Sequence, residues 1–292
     1  MIAAYGSLAL AMAIVGAYVG FSKILVAAFP VFLLAWLRFG VAAVAMAHWL
    51  RRPAHEPPAD RRTCQLLFLE SLLGNFLFSI LMLYGMRHAD ALTAGVVMAS
   101  IPAAVALLSW LFLRERITPR TGLAIMLAVL GVALLATTRE ASESRLSLLG
   151  IFLLLGAVLC EASYVVIGKR LTGQLSPRRI SAIINLWGLI LVTPLGLWQA
   201  QDFDFSAISP GLWGGLVLYA LAASMWTVWL WMTGLKRVPA ARAGVFTVFL
   251  PLASAAVGVL ALGERFTAMH AAAFALAIGA VLLATWPSSP QR

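Results

Sequence analysis

Charge is what this 292-residue sequence has least of: 21 Lys and Arg with 11 Asp and Glu make only 11% of the chain, while 62% is hydrophobic. A soluble domain is about one quarter charged, so there is too little polar surface here to cover a water-soluble globule. Cysteine is nearly missing as well. Cys64 and Cys160 stand apart without a CxxC neighbour, which argues against metal or dithiol redox chemistry. No GxxxxGK[ST] phosphate loop, HExxH or GxSxG occurs, which excludes direct ATP drive and the common zinc-protease and serine-hydrolase designs. A membrane enzyme normally clusters carboxylates or histidines, and the few ionisable residues within the apolar runs are scattered. No catalytic residue, metal or cofactor is expected.

What is present is a series of long apolar runs at 3–22, 30–50, 64–86, 91–113, 120–138, 148–168, 179–198, 211–233, 240–262 and 268–286. A helix needs about 20 apolar residues to cross the hydrocarbon core. These runs lack the strict alternation over about ten residues that a barrel strand requires. The pattern predicts an all-α integral membrane protein with ten transmembrane helices. The first run begins almost at Met1 with no Lys or Arg before it, so it is read as a retained helix and not a cleaved signal.

A formal charge of +10 does not here imply nucleic acid, because the cations sit in short loops. With the N-terminus in the cytoplasm, only Lys23, Arg87, Arg139, Arg145 and Arg265 of the 21 basic residues fall outside, and Arg38 falls within span two. That bias predicts cytoplasmic N- and C-termini. Trp49, Trp198, Trp213 and Trp286 fall at span ends, where an interfacial belt places them.

The chain repeats itself. At an offset of 149 residues, Gly85 matches Gly234, Arg87 matches Lys236, Gly95 matches Gly244 and Pro102 matches Pro251. Glu115-Arg116 likewise matches Glu264-Arg265, and Thr118 matches Thr267. Upstream, Tyr18 and Lys23 correspond to Tyr164 and Lys169 at an offset of 146. The repeats divide as 1–147 and 148–292. Five spans per half is odd, so the second half enters the membrane from the opposite side. Two inverted five-helix repeats suit a transporter, because exchanging the conformations of the halves yields inward-open and outward-open states of similar energy.

Ala94-Gly95, Pro102 and Glu115, repeated as Ala243-Gly244, Pro251 and Glu264, together with Arg114-Glu115-Arg116 and Gly263-Glu264-Arg265, resemble the EamA-type branch of the drug/metabolite transporter superfamily. The resemblance covers nearly the whole chain and is strongest to bacterial aromatic amino-acid exporters of the YddG type. It implies a central cavity lined by spans 1, 3, 4, 6, 8 and 9, with spans 5 and 10 packed to one side. It also implies alternating-access export from cytoplasm to periplasm across a bacterial inner membrane, as monomer or homodimer.

Glu161 is the most informative position, near the middle of span six, where a charge costs at least about 2.5–3.5 kcal/mol. It suits a substrate ammonium, proton coupling, or a structural pairing with Lys23, Arg38 or a backbone group. Ala157, Glu161, Tyr164 and Gly168 share a helical face, and the repeat counterpart of Glu161 lies near Val15. Arg38 suits a substrate carboxylate or a structural ion pair. Span three offers Ser71, Gly74, Asn75, Phe78, Met82 and Gly85 on one face, with Tyr84 and His88 near its outer end. Glu70 is expected to reach water or Arg62 and to be structural. Span eight offers Tyr219, Ala222, Trp226, Trp229 and Thr233 at helical spacing, with Ser224 opposite Asn75 by the repeat. An aromatic wall of this kind stacks on aromatic or cationic cargo or simply packs. Gly95, Pro102, Gly244 and Pro251 are candidate hinges, since Gly permits close approach and Pro removes a backbone hydrogen bond. The expected partners are a small-molecule substrate (an amino acid or related metabolite), the lipid bilayer and protons as a coupling ion, with hydrophobic or quaternary cationic drugs as alternative cargo. A membrane-embedded enzyme or scaffold is the reading from another class.

Overall fold

A computed structural model describes residues 1–54, 56, 58–88, 97–98, 100–136, 148–250, 252–253 and 268–286. The predicted Gly95, Pro251 and Gly263-Glu264-Arg265 lie outside these, as does the side chain of Lys23.

Each predicted apolar run is met by helix. α1 is Ile2–Ala28 and α2 is Val31–Ala45, followed by a 3₁₀ turn at Ala47–Leu50. α3 is built from Arg61–Ser71, a π-helical turn at Leu72–Leu77, and Phe78–His88. The described part of α4 is Ile101–Leu108 with a π-helical turn at Ser109–Leu113, and α5 is Pro119–Ala136. α6 is Leu148–Leu171 and α7 is Pro177–Ala200. α8 runs through Pro210–Ala220, a π-helical turn at Leu221–Trp226, and Thr227–Arg237. α9 begins with Ala240–Gly244 and a 3₁₀ turn at Val245–Val248, and α10 is Ala268–Thr285.

The pairing of these helices expresses the repeat. α2 packs on α7, α4 on α9 and α5 on α10, so each meets its own counterpart, while α1 packs on α8 as α3 packs on α6. That is the contact pattern of two inverted five-helix halves. The π-helical turns obey it too: Leu72–Leu77 and Leu221–Trp226 lie at the 149-residue offset.

Polarity is arranged for lipid. Ile2, Val44 and Phe152 are 88%, 81% and 70% exposed. Much of the interior is built from small residues, such as Ala106, Ala124, Ala128 and Ala280, which let backbones approach where lipid gives no hydrophobic drive to associate. At Gly131 of α5 a Cβ would sit 3.2 Å from the Ala273 carbonyl of α10.

Candidate functional site

The π-helical turns decide which side chains meet. One extra residue in the turn rotates everything beyond it by about 100° relative to a regular helix. The stripe predicted on α8 therefore divides. Tyr219 packs edge-on against Tyr18 of α1 at 5.5 Å. Ala223 and Ser224 face a cavity, while Trp229 lies 6.1 Å from Trp49, both beneath the Arg178 guanidinium. The α3 face divides likewise: Gly74 and Gly85 turn to α6, while Ser71 donates to the Ile184 carbonyl of α7 at 2.8 Å.

The cavity lies where α2, α3, α7 and α8 converge, lined by Arg38, Phe39, Asn75, Ser181, Ile184, Asn185, Ala223, Ser224 and Val228. Of the spans expected to line a central cavity (1, 3, 4, 6, 8 and 9), this small void touches three and eight, and spans two and seven complete it. Its volume is about 20 Å³, room for water only.

Three of the predicted residues, Arg38, Asn75 and Ser224, are brought together here. Asn75 and Ser224 occupy equivalent positions of the two halves, so the pseudo-twofold axis passes near this cavity. Several polar atoms around it are buried without partners: Arg38 Nε, Ser224 Oγ and Asn185 Oδ1, with Thr227 Oγ1 one helical turn beyond Ser224. Asn185 Nδ2 donates to the Phe39 carbonyl at 3.0 Å, and Asn75 Nδ2 makes a long 3.5 Å contact with Ser71 Oγ. Leaving such groups unmade costs about 1–3 kcal/mol each, so the cavity favours a polar occupant, a role for which water is small enough.

Arg38 joins this cavity to a second cluster. Its guanidinium lies 4.4 Å from the Phe39 ring and 6.0 Å from that of Tyr219, and it interacts electrostatically with Tyr18, as does Glu161. Glu161 is partly exposed, and among the described residues it forms neither a salt bridge nor a hydrogen bond, so the expected pairing with Arg38 is not made. Tyr164 packs against Gly74, where a Cβ would lie 2.8 Å from its Cγ. Phe78, Tyr84 and Trp226 do not line the cavity; Tyr84 and Trp226 are 47% and 39% exposed. Of the proposed hinges, Pro102 sits in the first turn of Ile101–Leu108. Gly244 packs on α4, a Cβ there lying 3.0 Å from Val105 Cγ1.

Two features escaped sequence reasoning. Ser181 and Asn185 of α7 belong to the cavity, and the isolated amide in Ile-Ile-Asn185-Leu was the available signal. Glu70 does not reach water or Arg62: it is 0% exposed with both carboxyl oxygens unpartnered, because Gly168 lets α6 close over it.

At one end of the bundle, polar groups fix helix termini. Glu115 accepts hydrogen bonds from the Ala240 and Ala241 amides at 2.9 and 3.1 Å. Lys169 Nζ donates to the Leu235 and Lys236 carbonyls at 2.8 and 3.3 Å. Glu56, in the loop before α3, accepts from the Ser176 amide at 2.7 Å and from Arg179 at 2.9 Å. Burial alone would raise the Glu56 carboxyl, but the Ser176 and Arg179 hydrogen bonds outweigh it and hold the group below the usual carboxylate range.

This architecture has relatives. A solved crystal structure superposes with a TM-score of 0.76 over 95% of both chains at 17% identity, which shows the fold. YetK of Bacillus subtilis strain 168, described as an uncharacterized transporter, is 34% identical over 96% of this chain and 86% of its own length. The threonine/homoserine exporter RhtA of Escherichia coli K12 is 31% identical over 56% of this chain and 53% of its own. The EamA-like transporter family matches twice, at residues 3–137 and 148–286, once for each half of the bundle, and the chain is a multi-pass membrane protein belonging to that family.

Proposed function

We propose that this transporter exports amino acids, or closely related small zwitterions, from the cytoplasm to the periplasm across a bacterial inner membrane, by alternating access between its inverted halves. The carrying observation is the cavity in which Arg38 Nε, Ser224, Asn75 and Asn185 converge, with Glu161 in the adjoining cluster. A zwitterion needs an anion-holding and a cation-holding group that do not neutralise each other. Arg38 and Glu161 form no salt bridge and supply that separation. In this reading Arg38 takes the substrate carboxylate, Glu161 the ammonium, and Asn75 and Ser224 the polar groups between. Tyr164 and Tyr18 wall the site, Phe78, Tyr84 and Trp226 line the route beyond it, and Gly244 and Pro102 flex as the halves rock.

The small volume and the polar groups of Asn75, Ser181, Asn185 and Ser224 favour compact polar amino acids over aromatic ones, in keeping with the cargo in the name of the Escherichia coli relative. The asymmetry of basic loops supports cytoplasmic termini. The test is uptake of labelled threonine and phenylalanine into liposomes holding the purified protein, beside Glu161→Gln. Saturable threonine uptake that Glu161→Gln abolishes supports the reading. Folded wild-type protein that moves neither amino acid overturns it and directs the search to cationic cargo.

A further inference from the structure

Glu70 sits where α3, α6 and α8 meet. A Cβ at Gly168 of α6 would lie 2.7 Å from Glu70 Oε1, 3.1 Å from Met232 Cε and 3.2 Å from Leu235 Cδ2. The carboxyl is thus sealed against glycine and apolar side chains, at 0% exposure and with neither oxygen hydrogen-bonded.

The charged and titratable groups on the surrounding helices are engaged elsewhere or, like Arg61, Arg62, Arg170 and Arg237, exposed. From α6, Tyr164 lies within electrostatic reach of Glu70, Glu161 and Tyr18, and Lys169 is committed to the Leu235 and Lys236 carbonyls. From α8 come Met232 and Leu235, and Lys236 is exposed. From α7, Arg178 lies over Trp49 and Trp229, and Arg179 is paired with Glu56. Among the described residues no cation pairs with Glu70.

The repeat supplies a comparison for this position. At the two offsets Glu70 corresponds to Tyr219, and Tyr164 to Tyr18. Tyr18 and Tyr219 close their junction with two rings 5.5 Å apart. The equivalent station of the other half holds a ring and a carboxyl, so a carboxyl stands where an aromatic ring serves in its counterpart. An unpaired carboxylate enclosed this way loses its hydration with nothing in exchange. The closed junction therefore accommodates the neutral acid, and ionisation belongs to a state in which α3 and α6 part at Gly74 and Gly168 and admit water.

We propose that Glu70 is a proton-binding site that couples substrate movement to a proton gradient. The carboxylate takes one proton from hydronium on one side of the membrane, an O–H bond forming on the carboxyl as one of the hydronium's breaks and leaves water. It carries that proton through the closed state and releases it to water on the other side, where the carboxyl O–H bond breaks as a hydronium O–H bond forms. This deepens the transport reading and rests on it for the coupling, while leaving substrate contact to Glu161 and Arg38.

Two measurements on the full chain in lipid test it. The first needs no substrate: infrared titration of the wild type, in which a protonated buried carboxyl band responds to pH and vanishes in Glu70→Gln. The second imposes a pH difference of one unit, which at one proton per substrate sustains a concentration ratio of about tenfold. Wild type and Glu70→Asp reach a threonine ratio near that value. Glu70→Gln only equilibrates, yet still exchanges labelled for unlabelled threonine. Accumulation by Glu70→Gln to the wild-type ratio overturns the proposal, as does a titrating band that survives the substitution. If Glu70→Gln does not insert, the shift of the band in Glu70→Asp decides in its place, and an unshifted band overturns the proposal. A wild type with the Glu70 band but no threonine transport overturns the substrate reading and leaves the proton site standing.

Discussion

Gly85 of α3 packs directly against Leu154 of α6: a Cβ on Gly85 would lie 2.8 Å from Leu154 Cγ and 3.3 Å from its backbone nitrogen. Gly234 of α8 meets Leu8 of α1 in the same way, with a Cβ 2.6 Å from Leu8 Cγ and 2.7 Å from the Ala4 carbonyl. The two contacts are related by the offsets of the repeat, so one packing solution is used twice. It also extends along α3 and α6 as an antiparallel series, Glu70 with Gly168, Gly74 with Tyr164, Leu81 with Gly156 and Gly85 with Leu154.

A methyl group at either glycine pushes paired helices apart. Overpacking of this kind costs about 1–3 kcal/mol. Gly234→Ala is expected at the upper end, since a backbone carbonyl cannot swing aside as a leucine tip can. Thermal unfolding in detergent should rank wild type above Gly85→Ala, and Gly85→Ala above Gly234→Ala. Adding Leu154→Ala should restore part of the Gly85→Ala loss, and a double variant no more stable than its weaker parent would refute the contact.

Glu115 ties the two halves through the start of α9. Arg114 takes up φ 56 and ψ 30 at the end of α4, a left-handed turn uncommon for a side-chain-bearing residue, and the chain then delivers Glu115 to the Ala240 and Ala241 amides. Losing a helix N-cap costs about 0.5–2 kcal/mol. Glu115→Ala should accelerate hydrogen exchange at Ala240, Ala241 and Arg242 while leaving α10 unchanged, and Glu115→Gln should fall between. Unchanged exchange at those amides would remove the capping role.

The spans were legible because apolar length is a direct consequence of bilayer thickness, and the helix pairing was implicit in Gly85/Gly234 and Tyr18/Tyr164. The site was less so. Nothing in Leu72–Leu77 or Leu221–Trp226 announces a π-helical turn, so a constant helical period placed Tyr219, Trp226 and Trp229 on one wall that the structure breaks up. Glu70 was misjudged because its burial depends on Gly168, nearly a hundred residues away in sequence. Asn185 was passed over because a single amide in an apolar run also suits ordinary helix–helix packing.

Arg38 and Ser224 offer a test of the substrate site. A planar guanidinium grips a carboxylate through paired hydrogen bonds that an ammonium cannot reproduce. Arg38→Lys should therefore raise the KM for threonine export by about tenfold, the equivalent of 1.4 kcal/mol, with a smaller change in maximal rate. Ser224→Ala removes one polar group and should raise KM by a few fold. Equal effects of both variants on an amino acid and on an amine lacking the carboxylate would show that Arg38 does not read that group.

Glu56 predicts how the protein fails in acid. Its side chain is only 4% exposed, and the Arg179 partner holds it at 2.9 Å. Because folding lowers its pKa, the ionised group is bound more favourably in the folded state than the protonated one. The stability it contributes is fully present above the unfolded carboxylate value of about 4.3, and it is lost as pH falls through the still lower folded value. Glu56→Gln leaves the size of the side chain while removing the charge and the pH dependence. The gap in melting temperature between wild type and Glu56→Gln should be constant from neutral pH down to about 5 and close below about 4. Arg179→Met, which strands a buried carboxylate, should destabilise more than Glu56→Gln at neutral pH and recover toward it in acid. A gap between wild type and Glu56→Gln that stays constant to low pH would mean that the Glu56–Arg179 bridge, and with it the docking of α7 onto the loop before α3, contributes nothing specific to the ionised carboxyl.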